Sequence, residues 1–144
     1  KGVEHRLEYV RTINEVEYIN DSKATNINSV IVAINTYDQP IVLILGGFNK
    51  GANFRLLLPH IKSSHVRDIV SYGDAGGQIN TALGDAVRSV QVTDLSSAVK
   101  KAQLMAAPGD IVLLSPGCAS YDEFSNFEER GNHFKSIIKN LAIS

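Results

Sequence analysis

The chain has 144 residues, and its 14 basic and 15 acidic side chains give a formal net charge of −1 at pH 7. Apolar residues make up 44% and charged residues 20%, which is typical of one soluble globular domain with its own core. The absence of a basic run or stripe argues against a nucleic-acid partner. The longest purely apolar runs, such as Ile41–Leu45, are far shorter than the roughly 20 residues needed to span a membrane, so no membrane partner is expected.

The N-terminus and the cysteine count bear on location. The first residues lack the apolar stretch of a signal peptide and do not begin with methionine, so we expect a piece of a longer cytoplasmic protein. A single cysteine, Cys118, excludes an intramolecular disulfide and is compatible with a reducing compartment.

Short apolar runs alternate with stretches of helical periodicity, as in proteins built from βα units. In the first half we expect two strands, 7–13 and 16–20, joined tightly at Asn14–Glu15. A helix follows, with apolar residues spaced i, i+3, i+4 and i+7 from Ile27 and with Thr25 or Asn26 as its N-cap. A buried strand at 41–45 ends at Gly46–Gly47. The next helix, around 54–61, contains Pro59, which predicts a kink or a late start.

The second half repeats this alternation. We expect strands at 66–72, 89–92 and 111–114, a short helix at 78–83 and a helix capped by Asp94. A final helix carries Phe134, Ile137, Ile138 and Leu141. The chain is therefore predicted to be α/β: a single Rossmann-like domain over 1–144, with a mainly parallel sheet, helices on both faces and an N-terminal antiparallel strand pair.

Three loops after predicted strands are rich in polar and small residues, at 20–26, 46–53 and 115–127. Ligands of open α/β sheets bind beyond the carboxyl ends of the strands, so these loops are the candidate site. The loops near Gly73 and Thr93–Asp94 resemble ordinary turns and caps.

Each loop has a structural explanation beside a functional one. In the first, Lys23 lies before a helix N-terminus that favours an anion, but such polar residues are more often helix caps. In the second, Lys50 follows two glycines without completing a phosphate-binding G-x-x-x-x-G-K-[ST] motif, and it could be a solvated turn residue. In the third, Cys118 or Ser120 would need a base to act as a nucleophile. None of the four histidines has a recognisable spacing for such a base, so Cys118 is better explained by packing. The histidines are also scattered without metal-ligand spacing.

Taken together, the loops resemble the C-terminal domain of the Mur ligase family, and within it the ligases that add D-glutamate. The resemblance covers essentially the whole chain and rests on five segments in order: His5–Glu8, Asn20–Asn26, Gly46–Gly47 with Lys50, Leu114–Ser120, and Phe124–Gly131. Phe48–Asn49, Gly117 and Tyr121 depart from the residues common at those positions.

The resemblance implies ATP-dependent amide formation in peptidoglycan synthesis, joining D-glutamate to UDP-N-acetylmuramoyl-L-alanine through an acyl phosphate. It further implies an N-terminal domain for the uridine nucleotide and a central domain with the phosphate loop and the Mg²⁺ ligands, both outside this chain. The domain alone would then be inactive, and the protein is expected to be a monomer.

The resemblance also assigns roles to individual residues. Arg6 and Asp21 would bind the nucleotide, and Lys23 would be catalytic, neutralising charge near the transferred phosphate. D-Glutamate would be bound by Thr25, Lys50, Ser120, Tyr121 and Phe127, and no metal ligand is expected in this domain. Two alternatives are a ligase of the same family for another amino acid and a non-catalytic α/β ligand-binding module.

Overall fold

The computed structural model describes residues 3–141. Within them, six strands and five α-helices form, and a 3₁₀ turn at Phe54–Leu57 leads into the second helix. The strands are β1 (Glu8–Ile13), β2 (Val16–Asn20), β3 (Ile41–Gly46), β4 (Val66–Tyr72), β5 (Arg88–Val92) and β6 (Ile111–Gly117). The helices are α1 (Ile27–Ile34), α2 (Leu58–Ser63), α3 (Gly76–Leu83), α4 (Leu95–Met105) and α5 (Phe127–Lys139).

The strands form one sheet in the order β1-β2-β6-β3-β4-β5. β1 is antiparallel to β2, whereas all neighbouring strands from β2 to β5 are parallel. The crossover from β2 through α1 to β3 leaves a position between these two strands, and β6 fills it at the end of the chain. Every residue of β6 is therefore buried. The predicted fold class, including the antiparallel N-terminal pair, is confirmed.

The strand β3 shows how the sheet separates two apolar layers. Ile41, Leu43 and Leu45 belong to the cluster formed with α1, α2 and α3. Val42 and Ile44 belong to the cluster on the opposite face, with α4 and α5. Because successive side chains of a strand point to opposite faces, one continuous apolar run supplies both layers. Helices cover both faces of the sheet, as predicted.

The predicted boundaries agree with the structure at β2 and β4 and differ elsewhere for local reasons. Pro59 lies in the first turn of α2, where its missing N–H is not needed, so the expected late start is confirmed. β1 begins at Glu8 instead of residue 7, because Leu7 has a positive φ of 48° and leaves the strand geometry. The turn at Asn14–Glu15 has positive φ at both residues, which matches the tight connection expected there.

Two expectations near the C-terminus are wrong. β6 continues to Gly117, so the third loop is shorter than expected. The helix α5 ends at Lys139, so Leu141 is not helical, although it still packs against the same apolar cluster. Among residues 3–141, no helix is both long and apolar enough to cross a membrane.

Candidate functional site

The topology brings the three polar loops together. β2, β6 and β3 are adjacent and parallel, so their carboxyl ends lie at the same edge of the sheet. The first loop (residues 21–26), the second loop (47–53) and the third loop (118–126) leave from these ends. Antiparallel bridging between Phe48 and Ala119 joins the second loop to the third. The expectation that one edge carries all three loops follows directly from this strand order.

Asp21 follows β2 directly, and only 4% of its surface is exposed. Its Oδ1 accepts a hydrogen bond from the N–H of Leu7 at 3.1 Å, and its Oδ2 accepts one from Ser115 Oγ at 2.8 Å. Burial raises the pKa of Asp21 to about 6, although both hydrogen bonds and the charge of Arg6 act in the opposite direction. The carboxylate retains lone pairs that can accept a hydrogen bond from a ligand.

Arg130, in the second turn of α5, is fully buried and ties the first loop to the third. Its Nε donates to Ser22 Oγ at 2.9 Å, its Nη2 to the carbonyl of Ser22 at 2.7 Å, and its Nη1 to the carbonyl of Cys118 at 2.9 Å. Ser22 Oγ donates in turn to the carbonyl of Phe127 at 2.7 Å. Among residues 3–141, no carboxylate forms an ion pair with Arg130, so carbonyl and hydroxyl dipoles compensate its charge.

His5 extends the buried network behind the first loop. Asn20 Nδ2 donates to His5 Nδ1 and to Glu8 Oε1, both at 3.0 Å. Asn20 Oδ1 accepts from the N–H of Ser22 at 3.2 Å, and these partners fix the orientation of the amide. A Cβ at position 131 would collide with the His5 ring, so Gly131 is what allows α5 to pack this closely. The first loop is therefore supported by buried side chains on its inner side.

The first loop lines an open cavity of about 420 Å³, here called the first cavity. Arg6, Asp21, Lys23 and Thr25 line it, and so does Phe127. The N-terminus of α1 also faces this cavity through Asn26, whose side chain caps the helix by accepting from the N–H of Ser29 at 2.9 Å. The cavity thus combines two cationic side chains, one carboxylate and a helix N-terminus, a set that suits a phosphorylated ligand.

A second cavity, of about 570 Å³, lies between the first and second loops. Lys50 lines it together with Cys118 and Ala119 of the third loop. Thr25 and Asn28 line both cavities, so the two adjoin along the start of α1. An elongated ligand or two neighbouring ligands could therefore contact both.

The predicted site residues do not all line one cavity. Thr25 and Lys50 line the second cavity, whereas Phe127 lines the first and packs edge-on against His5 at 6.0 Å between ring centroids. Ser120 is buried, and Tyr121 is exposed with Lys50 Nζ at 5.8 Å from its ring centroid. Neither Ser120 nor Tyr121 lines either cavity.

The packing interpretation of Cys118 agrees with its surroundings. Cys118 is 3% exposed, and burial raises the pKa of its thiol to about 12. The thiol is therefore protonated at neutral pH and is a poor nucleophile. No group of three or more potential metal-binding side chains occurs within residues 3–141.

Sequence reasoning gave no role to Arg130, Asp74 or Asp122. The periodicity of α5 could have revealed Arg130, because it lies four residues before Phe134 and eight before Ile138 on the buried face. The sequence predicts only an ordinary turn at Asp74. In the structure its Oδ2 accepts from the N–H of Asn49 at 3.2 Å, and its own N–H donates to Asp122 Oδ2 at 3.1 Å.

Comparison with known proteins gives consistent results. The family model described as "Mur ligase, glutamate ligase domain" matches residues 5–118. The chain is 45% identical over 141 residues to the UDP-N-acetylmuramoylalanine--D-glutamate ligase of Chloroherpeton thalassium, covering 98% of this chain and 30% of the relative. It is 47% identical over 143 residues to the ligase of the same name from Clostridioides difficile, covering 98% of this chain and 32% of the relative. The chain thus spans about a third of the length of these relatives.

Solved structures show the same fold at low sequence identity. A bifunctional folylpolyglutamate synthase/dihydrofolate synthase from Yersinia pestis superposes with a TM-score of 0.67 at 16% identity, over 95% of this chain and 32% of that one. A UDP-N-acetylmuramate-alanine ligase from Thermotoga maritima gives a TM-score of 0.64 at 12% identity, over 96% of this chain and 30% of that one.

Proposed function

Because the chain belongs to the Mur ligase family through its glutamate ligase domain, we propose that it is the amino-acid-binding, C-terminal part of an ATP-dependent ligase. That ligase joins D-glutamate to UDP-N-acetylmuramoyl-L-alanine in peptidoglycan precursor synthesis. The names of the relatives at 45% and 47% identity support this choice of substrates. Domains that hold the uridine nucleotide and the phosphate loop would lie outside residues 1–144.

The observation that carries the proposal is the adjoining pair of cavities. The first cavity offers Arg6, Asp21 and Lys23, and the second offers Lys50, with Thr25 lining both. An amide ligase of this type must hold a nucleotide phosphate beside an amino acid that carries two carboxylates. Adjoining anion-binding cavities would place the two reactants side by side, which lowers the entropic part of the barrier.

Within this arrangement we assign each predicted residue a role. Arg6 and Asp21 face the nucleotide, with the Asp21 carboxylate accepting from a ribose hydroxyl. Lys23 stabilises negative charge that develops at the transferred phosphate. Thr25 and Lys50 bind a D-glutamate carboxylate, Lys50 through a charge-assisted hydrogen bond. Ser120, Tyr121 and Phe127 shape the surrounding loop walls.

The proposed ligase reaction also requires a metal ion. ATP-dependent ligases use Mg²⁺ to neutralise phosphate charge, but residues 3–141 contain no cluster of three or more metal-binding side chains. We propose that the Mg²⁺ ligands lie in the central domain, outside residues 1–144. We further propose that the ligase is monomeric and acts in the cytoplasm, where ATP is available.

The test uses the full-length ligase and measures phosphate release as a function of D-glutamate concentration. Replacing Lys50 by alanine removes a charged hydrogen bond that contributes roughly 1.5–3 kcal/mol, so the KM for D-glutamate should rise about 10- to 150-fold. Lys62→Ala is the matched control, because Lys62 is an exposed lysine on α2 and lines neither cavity.

A panel of amino acids separates the alternatives. If diaminopimelate, lysine or alanine replaced D-glutamate as the preferred substrate, the assignment within the family would be wrong. If no amino acid stimulated phosphate release, the ligase proposal itself would fail and a non-catalytic binding module would be favoured.

A further inference from the structure

The turn that carries Lys50, residues 48–52 and here called the Lys50 turn, is held by hydrogen bonds that cross three loops. On one side, the N–H of Phe48 donates to the carbonyl of Ala119 at 2.8 Å. On the other, the N–H of Asn49 donates to Asp74 Oδ2 at 3.2 Å. The N–H of Asp74 donates in turn to Asp122 Oδ2 at 3.1 Å. Lys50 itself is exposed, so these contacts fix its backbone while its side chain stays free to meet a ligand.

The backbone around Asp74 is shaped for this connection. Gly73 has a φ of 73°, a conformation that favours glycine, and a Cβ there would collide with the Asp122 carboxylate. The carbonyl of Gly47 also accepts from the N–H of Ala75 at 2.9 Å, so the loop after β4 contacts the second loop on both sides of Asp74. Asp74 therefore joins the loops after β3, β4 and β6.

Asn49 closes the Lys50 turn from within. Its Oδ1 accepts from the N–H groups of Gly51 and Ala52, both at 2.9 Å, and its Nδ2 donates to Gln78 Oε1. A carboxylate at position 49 would add a third negative charge to the Asp74 and Asp122 pair and would lose the donor to Gln78. The neutral amide of asparagine therefore suits this position.

We propose that Asp74 is a positioning residue for D-glutamate, which acts on the ligand only through Lys50 by holding the Lys50 turn against the third loop. This inference rests on the proposed function, since it assumes that Lys50 binds a substrate carboxylate. Asp74 lines neither cavity, so its effect on D-glutamate binding should pass through the Lys50 turn. Its effect must therefore disappear when Lys50 is absent.

The experiment compares steady-state kinetics of full-length ligase variants. Asp74→Ala should raise the KM for D-glutamate about 2- to 10-fold, the range set by losing one hydrogen bond, and leave the KM for ATP unchanged. Asp74→Asn should remain close to the unsubstituted enzyme, because its amide oxygen can still accept from the N–H of Asn49. In the Lys50→Ala background, Asp74→Ala should have no further effect on the KM for D-glutamate. Asp38→Ala is the control, an exposed aspartate that precedes β3 at the opposite edge of the sheet.

Three outcomes would overturn the positioning role: an unchanged KM for D-glutamate in Asp74→Ala, an equal rise in the KM for ATP, or full additivity with Lys50→Ala. Equal effects of Asp74→Asn and Asp74→Ala would also overturn it, because the charge would then matter more than the hydrogen bond. If the unsubstituted ligase shows no dependence on D-glutamate, the proposed function fails. Amide exchange then judges separately whether Asp74 holds the Lys50 turn: the Asn49 N–H should exchange about 2- to 10-fold faster in Asp74→Ala but not in Asp38→Ala, and an unchanged rate in Asp74→Ala would overturn this part of the inference.

Discussion

Around Asp21 and Ser22 the polar atoms of the site are buried, and side chains from β2, β6 and α5 hold them in place. Around Lys50 the polar atoms are exposed, and single hydrogen bonds between loops hold the backbone. Both regions lie at the same edge of the sheet and line adjoining cavities. The candidate site therefore has a buried wall around Asp21 and Ser22, which is part of the core, and an exposed wall around Lys50, which lies at the surface.

The difference has an energetic meaning. Buried hydrogen bonds cannot exchange partners with water, so the geometry of the first loop is fixed as part of folding. Exposed hydrogen bonds contribute less, because water competes for the same donors and acceptors. We infer that the nucleotide side of the proposed site is preorganised by the stability of the domain, whereas the amino-acid side gains its final order when the ligand binds.

The largest expected effect comes from the buried wall. Arg130→Ala should destabilise the 144-residue chain by roughly 3–5 kcal/mol, because the carbonyls of Ser22 and Cys118 lose a charged donor and remain buried. Urea unfolding measures this difference. Arg55→Ala is the control, an exposed arginine on the 3₁₀ turn, and it should stay within about 0.5 kcal/mol of the unsubstituted chain. If the two variants had equal free energies of unfolding, Arg130 would not stabilise the buried wall.

A smaller effect, of opposite sign, is expected at Asp21. Burial raises its pKa from 3.8 to about 6, so between these values the folded chain keeps a proton that the unfolded chain has released. Stability therefore falls as pH rises from about 4 to 6, and the loss is complete above pH 6. Asp21→Asn removes this ionisation and should stabilise the chain by roughly 1–3 kcal/mol at pH 8, with the gain vanishing near pH 4.

Asp94 provides a control with the reverse pH dependence. Its hydrogen bonds from Ser97 at the N-terminus of α4 lower its pKa, so Asp94→Asn should lose stability at pH 8, and this loss should shrink only as pH falls below about 4. Urea unfolding as a function of pH measures the two substitutions. A loss of stability at pH 8 in Asp21→Asn would contradict the view that this carboxylate is kept at an energetic cost for ligand binding.

The contrast between the walls also explains what the sequence could and could not predict. Periodicity and apolar runs predicted the sheet, both helical layers and the three loops, because these depend on local pattern and on the common edge of parallel strands. Loop positions placed Asp21, Lys23 and Lys50 at this edge. Periodicity does not show which long-range partners a side chain finds, so Arg130, 108 residues from Ser22, went unassigned.

The link between Asp74 and Asn49 escaped prediction for a related reason. The loop after β4 contains no unusual cluster of residues, and its importance depends on β4 lying beside β3 in the sheet. Likewise, the resemblance groups Phe127 with Lys50, but it cannot show that their side chains line different cavities. Contacts between loops require the strand order as well as the loop sequences.

The smallest expected effect tests the exposed wall at Tyr121. Lys50 Nζ lies 5.8 Å from the Tyr121 ring centroid. The Phe48 ring also packs against the Tyr121 ring, with 6.3 Å between the two ring centroids. A cation–π contact at an exposed site contributes roughly 0.5–1 kcal/mol, so Tyr121→Leu should raise the KM for D-glutamate about 2- to 5-fold in the full-length ligase. Tyr121→Phe keeps the ring and should leave this KM unchanged. If both substitutions raised the KM equally, the Tyr121 hydroxyl would be the contributing group. If neither substitution raised the KM, Lys50 would bind its ligand without support from the Tyr121 ring.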